Sequence, residues 1–217
     1  MMNWLPALSP AWGEWLRTVL EAAATLAFAL SGVVESKRKR LDAVGVCVVA
    51  FAAAFGGGTL RDLLLDQRPF FWVRHIEFLW ALLLLCVLAV LFMRQRHVEP
   101  TERAILWPDA LGLGLFTAVG VDLALALGQP ALVAVLMGVI TSVFGGVLRD
   151  VLVNEVPRAL ADHRPYALWA FVGGWLYIGL LRAGLPPWLP LTATVVFTAG
   201  LRLVSVWRNW QLPGWGR

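Results

Sequence analysis

The stretch FGGGTLRD, Phe55 to Asp62, returns as FGGVLRD at Phe144 to Asp150, and each copy lies inside a long apolar run. Glycines and a charged pair are costly in such a place. Lipid offers no water to loosened backbone groups, and an ionised side chain at mid-helix depth costs at least ~2.5 kcal/mol on insertion scales. The motif therefore points to a polar path through a membrane protein rather than to stability.

The rest of the chain fits that setting. Of its 217 residues, 59% are hydrophobic and only 15% charged, and the mean hydropathy is +0.73, values a water-soluble domain of this size could not cover with polar surface. Apolar runs fall at about Trp15 to Val34, Ala43 to Leu65, Ile76 to Met93, Leu106 to Leu127, Ala131 to Val153, Tyr166 to Leu181 and Trp188 to Trp207. With ~20 residues needed to cross the hydrocarbon core, these predict an all-α integral membrane protein of seven transmembrane helices. Trp15, Trp72, Trp107, Trp188, Trp207 and Trp210 lie near the run ends, as interfacial anchors do. Met1 to Gly13 carries no basic residue and Glu21 interrupts the first run, so that run reads as a retained span rather than a signal peptide.

Displacing the sequence by 88 residues, the distance from Arg61 to Arg149, aligns much of one half with the other without a gap. Phe28 meets Phe116, Gly32 meets Gly120, Gly57 and Gly58 meet Gly145 and Gly146, Asp62 meets Asp150, Pro69 meets Pro157 and His75 meets His163. Glu21 and Asp109 coincide as well. Three spans per unit (about 15–93 and 106–181) require the second unit to enter the membrane from the opposite face, which predicts two inverted repeats. The seventh helix, about 188–207, has no mate. Inverted repeats place the path or site at their interface, built from helices interrupted near the midplane.

The formal charge of +4 does not indicate a nucleic-acid partner, because the basic residues follow topology. One side receives Lys37, Arg38, Lys39, Arg40, Arg94, Arg96, Arg103, Arg158, Arg164, Arg202, Arg208 and Arg217; the other receives Arg17, Arg68, Arg74 and Arg182. The positive-inside rule then puts the N-terminus outside and the C-terminus in the cytoplasm of an inner-membrane protein.

Three consecutive glycines, Gly56 to Gly58, and the pair Gly145 and Gly146 predict a kink or break in the second and fifth spans, freeing carbonyls for a cation; close helix packing through small residues is the alternative. Arg61 and Arg149 lie two-thirds along helices of opposite direction, so they belong to opposite halves of the membrane. Depth alone suggests Asp122 as partner for Arg61 and Glu35 for Arg149. Glu21 and Asp109, at the starts of the first helix of each repeat, would put carboxylates at both mouths, where they concentrate cations or simply cap solvated helix ends. Ser31, Thr59, Thr117, Thr141 and Ser142 could line a wet path or bond to their own backbones. His75 and His163 read as solvated loop residues, and Cys47 and Cys86 as packing residues that make neither a disulfide nor a metal site. Neither HExxH, GxSxG nor a cysteine cluster is present, so an enzyme has no motif support and no cofactor is expected.

The doubled motif, each copy followed by a proline (Pro69, Pro157) on a chain of this length, resembles the prokaryotic TRIC (trimeric intracellular cation) channels, which are also grouped as glycine-transporter-like domains. The resemblance runs from about Trp15 to Trp207. It implies a homotrimer in membrane lipid with a pore inside each protomer, lined by the first, second, fourth and fifth spans and bent at the glycine motifs. Potassium and other monovalent cations, sodium among them, would pass, with no tightly bound metal. By match, Gly56, Gly57, Gly58, Gly145 and Gly146 form the glycine motif, and Arg61, Asp62, Arg149 and Asp150 the charged one. Phe144 stands where the first copy has Gly56, which implies a more constrained fifth span. A carrier for a small zwitterion such as glycine is the alternative function.

Overall fold

The structure is a computed structural model, and it describes residues 10–93, 102–161 and 163–213. Of the basic residues assigned to the cytoplasmic side, Arg94, Arg96 and Arg217 lie outside the described residues, as does most of the segment Met1 to Gly13. Nine helices are present among the described residues. They are α1 (Pro10–Arg38), α2 (Ala43–Leu64), α3 (Phe71–Arg74), α4 (Ile76–Met93), α5 (Glu102–Ala126), α6 (Ala131–Leu152), α7 (Arg158–Ala161), α8 (Ala167–Arg182) and α9 (Trp188–Trp207).

Seven of these coincide with the apolar runs. α1, α2, α5, α6 and α9 are long and apolar enough to cross a membrane, and Ile76–Phe92 and Ala167–Arg182 are shorter apolar helices. The protein is thus an all-helical membrane protein. Local sequence explains the boundaries: Asp42 caps α2 by accepting a 2.7 Å hydrogen bond from the Gly45 amide, and Pro130 and Pro187 precede α6 and α9. α1 starts five residues before the first apolar run and α5 four residues before the fourth. Those added turns place Glu21 and Asp109 inside their helices and not at the ends.

The core is a four-helix assembly of α1, α2, α5 and α6, with α4 against α2, α8 against α5 and α6, and α9 against α5 and α8. Small residues set its spacing. A Cβ on Gly57 would stand 2.0 Å from the Thr141 carbonyl oxygen, and one on Gly145 would stand 2.3 Å from that of Ala53, so α2 and α6 touch backbone to backbone. A Cβ on Gly32 would lie 2.8 Å from the Ala50 Cα, and one on Gly120 2.8 Å from the Gly138 Cα. Each contact is turned into its counterpart by the 88-residue displacement.

Neither glycine motif breaks its helix: α2 and α6 are α-helical from end to end. Of the predicted kink or break, the break is corrected here, and the close packing that was its alternative is present at Gly57 and Gly145. A backbone pressed onto a neighbouring helix gains its contacts without giving up its own hydrogen bonds, and glycine is required because any side chain would hold the helices apart. Trp15, Trp107, Trp188, Trp207 and Trp210 are exposed, whereas the half-buried Trp72 donates from Nε1 to Thr59 Oγ1 at 3.1 Å and meets Phe51 edge-on.

Candidate functional site

Arg61, near the C-terminal end of α2, is 1% exposed. Its Nη2 donates to Glu21 Oε1 at 2.6 Å and to Asp62 Oδ1 at 2.7 Å, and its Nε donates to Asp62 Oδ1 at 2.9 Å. Asp62 Oδ2 accepts from the Phe71 amide at 3.0 Å, which ties the short helix α3 to the end of α2. A buried guanidinium is tolerable only when paired and hydrogen-bonded, and two carboxylates supply that here.

The second copy repeats the arrangement. Arg149, also 1% exposed, donates from Nη1 to Asp109 Oδ1 at 2.7 Å and from Nε to Asp150 Oδ1 at 2.9 Å. Asp150 Oδ2 accepts from the Arg158 amide at 2.9 Å and so fixes α7 as Asp62 fixes α3. Two groups have no counterpart around Arg61. Ser31 Oγ accepts from Arg149 Nη1, and the buried Tyr166 hydroxyl packs beside Asp109 without a hydrogen bond of normal geometry. From α9, Arg202 lies over the Tyr166 ring, Cζ to centroid 4.7 Å, itself buried.

The register of the central crossing sets the distance between the clusters. Gly57 faces Thr141 and Ala53 faces Gly145, so α2 and α6 are antiparallel. Arg61 lies four residues beyond Gly57 and Arg149 eight beyond Thr141 in the opposite sense, a separation of about 18 Å along the helices. α1 gives an independent measure: it sends Glu21 to one cluster and Ser31 to the other, ten residues or about 15 Å apart. Between them Phe28 and Phe116 stack at 5.6 Å, both at most 2% exposed, among Ala24 and Ala53. Two charged clusters, each with one guanidinium and two carboxylates, are thus divided by an apolar layer.

The family model described as Glycine transporter matches this chain twice, over residues 18–94 and 106–182. A UPF0126 membrane protein of Vibrio cholerae is 35% identical over 199 residues, covering 90% of this chain and 81% of the relative. A solved TRIC trimeric intracellular cation channel orthologue from Rhodobacter sphaeroides superposes with a TM-score of 0.82 at 31% identity, covering 90% of this chain and 99% of that one. The chain belongs to the TRIC channel family. A prokaryotic TRIC channel solved in 0.5 M KCl gives a TM-score of 0.83 at 27% identity, with 92% and 100% covered.

Within this TRIC-family fold the ion pairs differ from those predicted by depth. Arg61 takes Glu21 and not Asp122, which instead accepts from Arg17 Nε and from the Tyr177 hydroxyl, both at 2.5 Å. Arg149 takes Asp109 and not Glu35, which is fully buried and accepts from Arg158 Nη2 at 2.7 Å. Glu21 and Asp109 are 6% and 3% exposed, so they are internal ion-pair partners and not solvated mouths. Depth fixed the right layer but not the helix face. The recurring interval was the signal that could have found the pairs, since each carboxylate precedes its arginine by 40 residues.

Three of the hydroxyls bond to their own helices. Thr117 donates to the Leu113 carbonyl, Thr141 to Met137 and Ser142 to Val139. Arg202, counted from sequence as a cytoplasmic tail residue, is internal to α9. His75 pairs with Glu77 at 3.0 Å at the surface and His163 is exposed. Among the described residues no group of three or more metal-binding side chains occurs. On one end of the molecule, Lys39 in the loop after α1 donates to Glu155 in the loop after α6, and Arg158 at the start of α7 donates to Glu35 near the end of α1. The Lys39 hydrogen bond first, then the charges of Lys39, Arg38 and Arg158, hold the Glu155 carboxyl below its ordinary range.

Proposed function

We propose that the protein is a monovalent cation channel, passing potassium, with a path inside each protomer between α1, α2, α5 and α6. The observation that carries this reading is the pair of buried clusters, each with one more carboxylate than guanidinium, set about 18 Å apart along antiparallel helices. When ionised, a set of two carboxylates and one guanidinium leaves an excess negative charge in a low-dielectric interior, which favours a cation over an anion. The solved TRIC cation channels, similar over nine-tenths of this chain, support the same function. Gly57 and Gly145 mark the crossing between the clusters.

In this reading seven helices span the inner membrane as two inverted three-helix repeats and a seventh helix, the N-terminus is outside, the C-terminus is cytoplasmic and three protomers assemble. The Lys39–Glu155 and Arg158–Glu35 contacts support putting the end of α1 and the start of α7 on one side, as this topology does. The Arg61 cluster then belongs to the outer half and the Arg149 cluster to the inner half. The stacked Phe28 and Phe116 close the path between them.

The test is reconstitution of the purified protein into planar bilayers in potassium chloride. Unitary currents whose reversal potential follows the potassium gradient are expected. Absence of unitary currents together with saturable glycine uptake into liposomes would replace the channel with a carrier, the second reading that the family model's description makes specific.

A further inference from the structure

Exchanging the halves by 88 residues leaves a difference at the two clusters. Ser31, whose hydroxyl meets Arg149 Nη1, corresponds to Val119, and Tyr166, packed beside Asp109, corresponds to Phe78. Val119 is fully buried, and the Phe78 ring stacks on Phe71 at 5.4 Å. The first cluster therefore lacks both hydroxyls. Arg61 Nη1 is correspondingly buried with no hydrogen-bond partner, on a side chain 1% exposed.

A bare guanidinium nitrogen calls for an acceptor, and buried polar groups are rarely left without one. An anion is the wrong answer, because Glu21 and Asp62, when ionised, exceed Arg61 by one negative charge. Water satisfies the donor but not the excess charge, which at the second cluster is offset by the buried Arg202 over the Tyr166 ring. A cation that keeps part of its hydration shell satisfies both, with the ion on a carboxylate and one shell water accepting from Nη1. Asp62 has both oxygens engaged, one by Arg61 and one by the Phe71 amide, which leaves Glu21 to face the ion.

We propose that the Arg61–Glu21–Asp62 cluster is a resting site for one partly hydrated monovalent cation, and that the Arg149–Asp109–Asp150 cluster, completed by Ser31, holds none. The two halves of a duplicated path thereby differ in role: the outer cluster loads the ion and the inner one is a closed ion-pair network. This rests on the channel reading.

Two measurements on the full chain test it. Crystals grown in rubidium chloride and read by anomalous scattering should show a peak in contact with Glu21 and none at Asp109. Val119→Thr, nearly isosteric, should place a hydroxyl opposite Arg61 Nη1, abolish the peak and lower the unitary conductance severalfold. No peak at Glu21 in protein that gives unitary currents, or equal peaks at both clusters, overturns the proposal while leaving the channel intact. An unchanged peak and conductance in a folded Val119→Thr protein overturns it as well. If the variant does not fold, the rubidium peaks of the parent protein decide. Loss of unitary currents in the parent protein would instead fail the channel reading itself.

Discussion

Glu21 and Arg61 meet at 2.6 Å in the interior, Oε1 to Nη2, from helices whose contributing residues are 40 positions apart. Asp109 and Arg149 meet at 2.7 Å over the same interval. A protein that spends four buried carboxylates on two buried arginines holds charge where apolar packing would be the cheaper route to stability. In the proposed channel, that excess is what links the sequence motif to ion passage.

The pairing makes unequal costs testable. Arg61→Ala strands Glu21 and Asp62 as buried carboxylates, a loss of about 3–5 kcal/mol by analogy with broken buried pairs. Glu21→Gln keeps a side-chain carbonyl that accepts from Arg61 and leaves Asp62 to balance the charge, so it should cost clearly less. Thermal unfolding in detergent measures both. Equal destabilisation by the two variants would show that Glu21 and Arg61 are not coupled as the geometry requires.

The helices were legible in the sequence because membrane spans are long, apolar and punctuated: Asp42, Pro130 and Pro187 stand next to the starts of α2, α6 and α9. The duplicated motif was legible because a fixed displacement survives without an alignment. Ion-pair partners were not. An apolar run marks only the hydrocarbon-soluble part of a helix, and α1 and α5 extend beyond theirs by five and four residues, so carboxylates that seemed terminal are internal. The role of the glycines was left between a kink or break and close packing for a related reason. Flexibility is a property of glycine alone, whereas close approach depends on what lies opposite, and Thr141 and Ala53 are not neighbours of Gly57 and Gly145 in sequence.

Gly57 and Gly58 should accordingly respond differently to alanine. At Gly57 the added Cβ would meet a backbone oxygen at 2.0 Å, so α2 and α6 must separate; at Gly58 its nearest neighbour is Glu21 Oε1 at 3.7 Å, an ordinary contact. Gly57→Ala is expected to lose about 1–3 kcal/mol through overpacking, and Gly58→Ala to be near neutral or slightly stabilised by better helix propensity. Melting temperatures of the two variants check this. A Gly58→Ala protein less stable than Gly57→Ala would remove the close-crossing explanation.

Lys39 and Glu155 give a pH dependence. The folded carboxyl titrates below its ordinary value of 4.5, so its contribution is present above that value and is lost as pH falls through the lower folded one. Below pH 4.5 the parent protein should therefore lose thermal stability more steeply than Lys39→Met, and near pH 7 the two should differ only slightly, since the pair is exposed to solvent. Melting curves across this range give the difference. Parallel curves for the two proteins would mean that Lys39 does not hold the carboxyl.

Phe28 and Phe116 supply the remaining prediction, and it separates a gate from a packing contact. Their rings stack in the layer between the two charged clusters, and the exchange of halves turns each into the other. Replacing a buried phenylalanine by alanine costs about 3–5 kcal/mol, so Phe28→Ala should unfold at lower temperature whatever its role. Function distinguishes the cases. If the stack closes the path, its removal leaves a wettable gap between Glu21 and Asp109, and the open probability of the folded fraction should rise at unchanged ionic conditions. Phe28→Leu, which keeps an apolar plug of similar reach, should stay closed. Unitary recordings that show Phe28→Ala no more open than the parent protein would make the stack a core contact and move the closure of the path elsewhere.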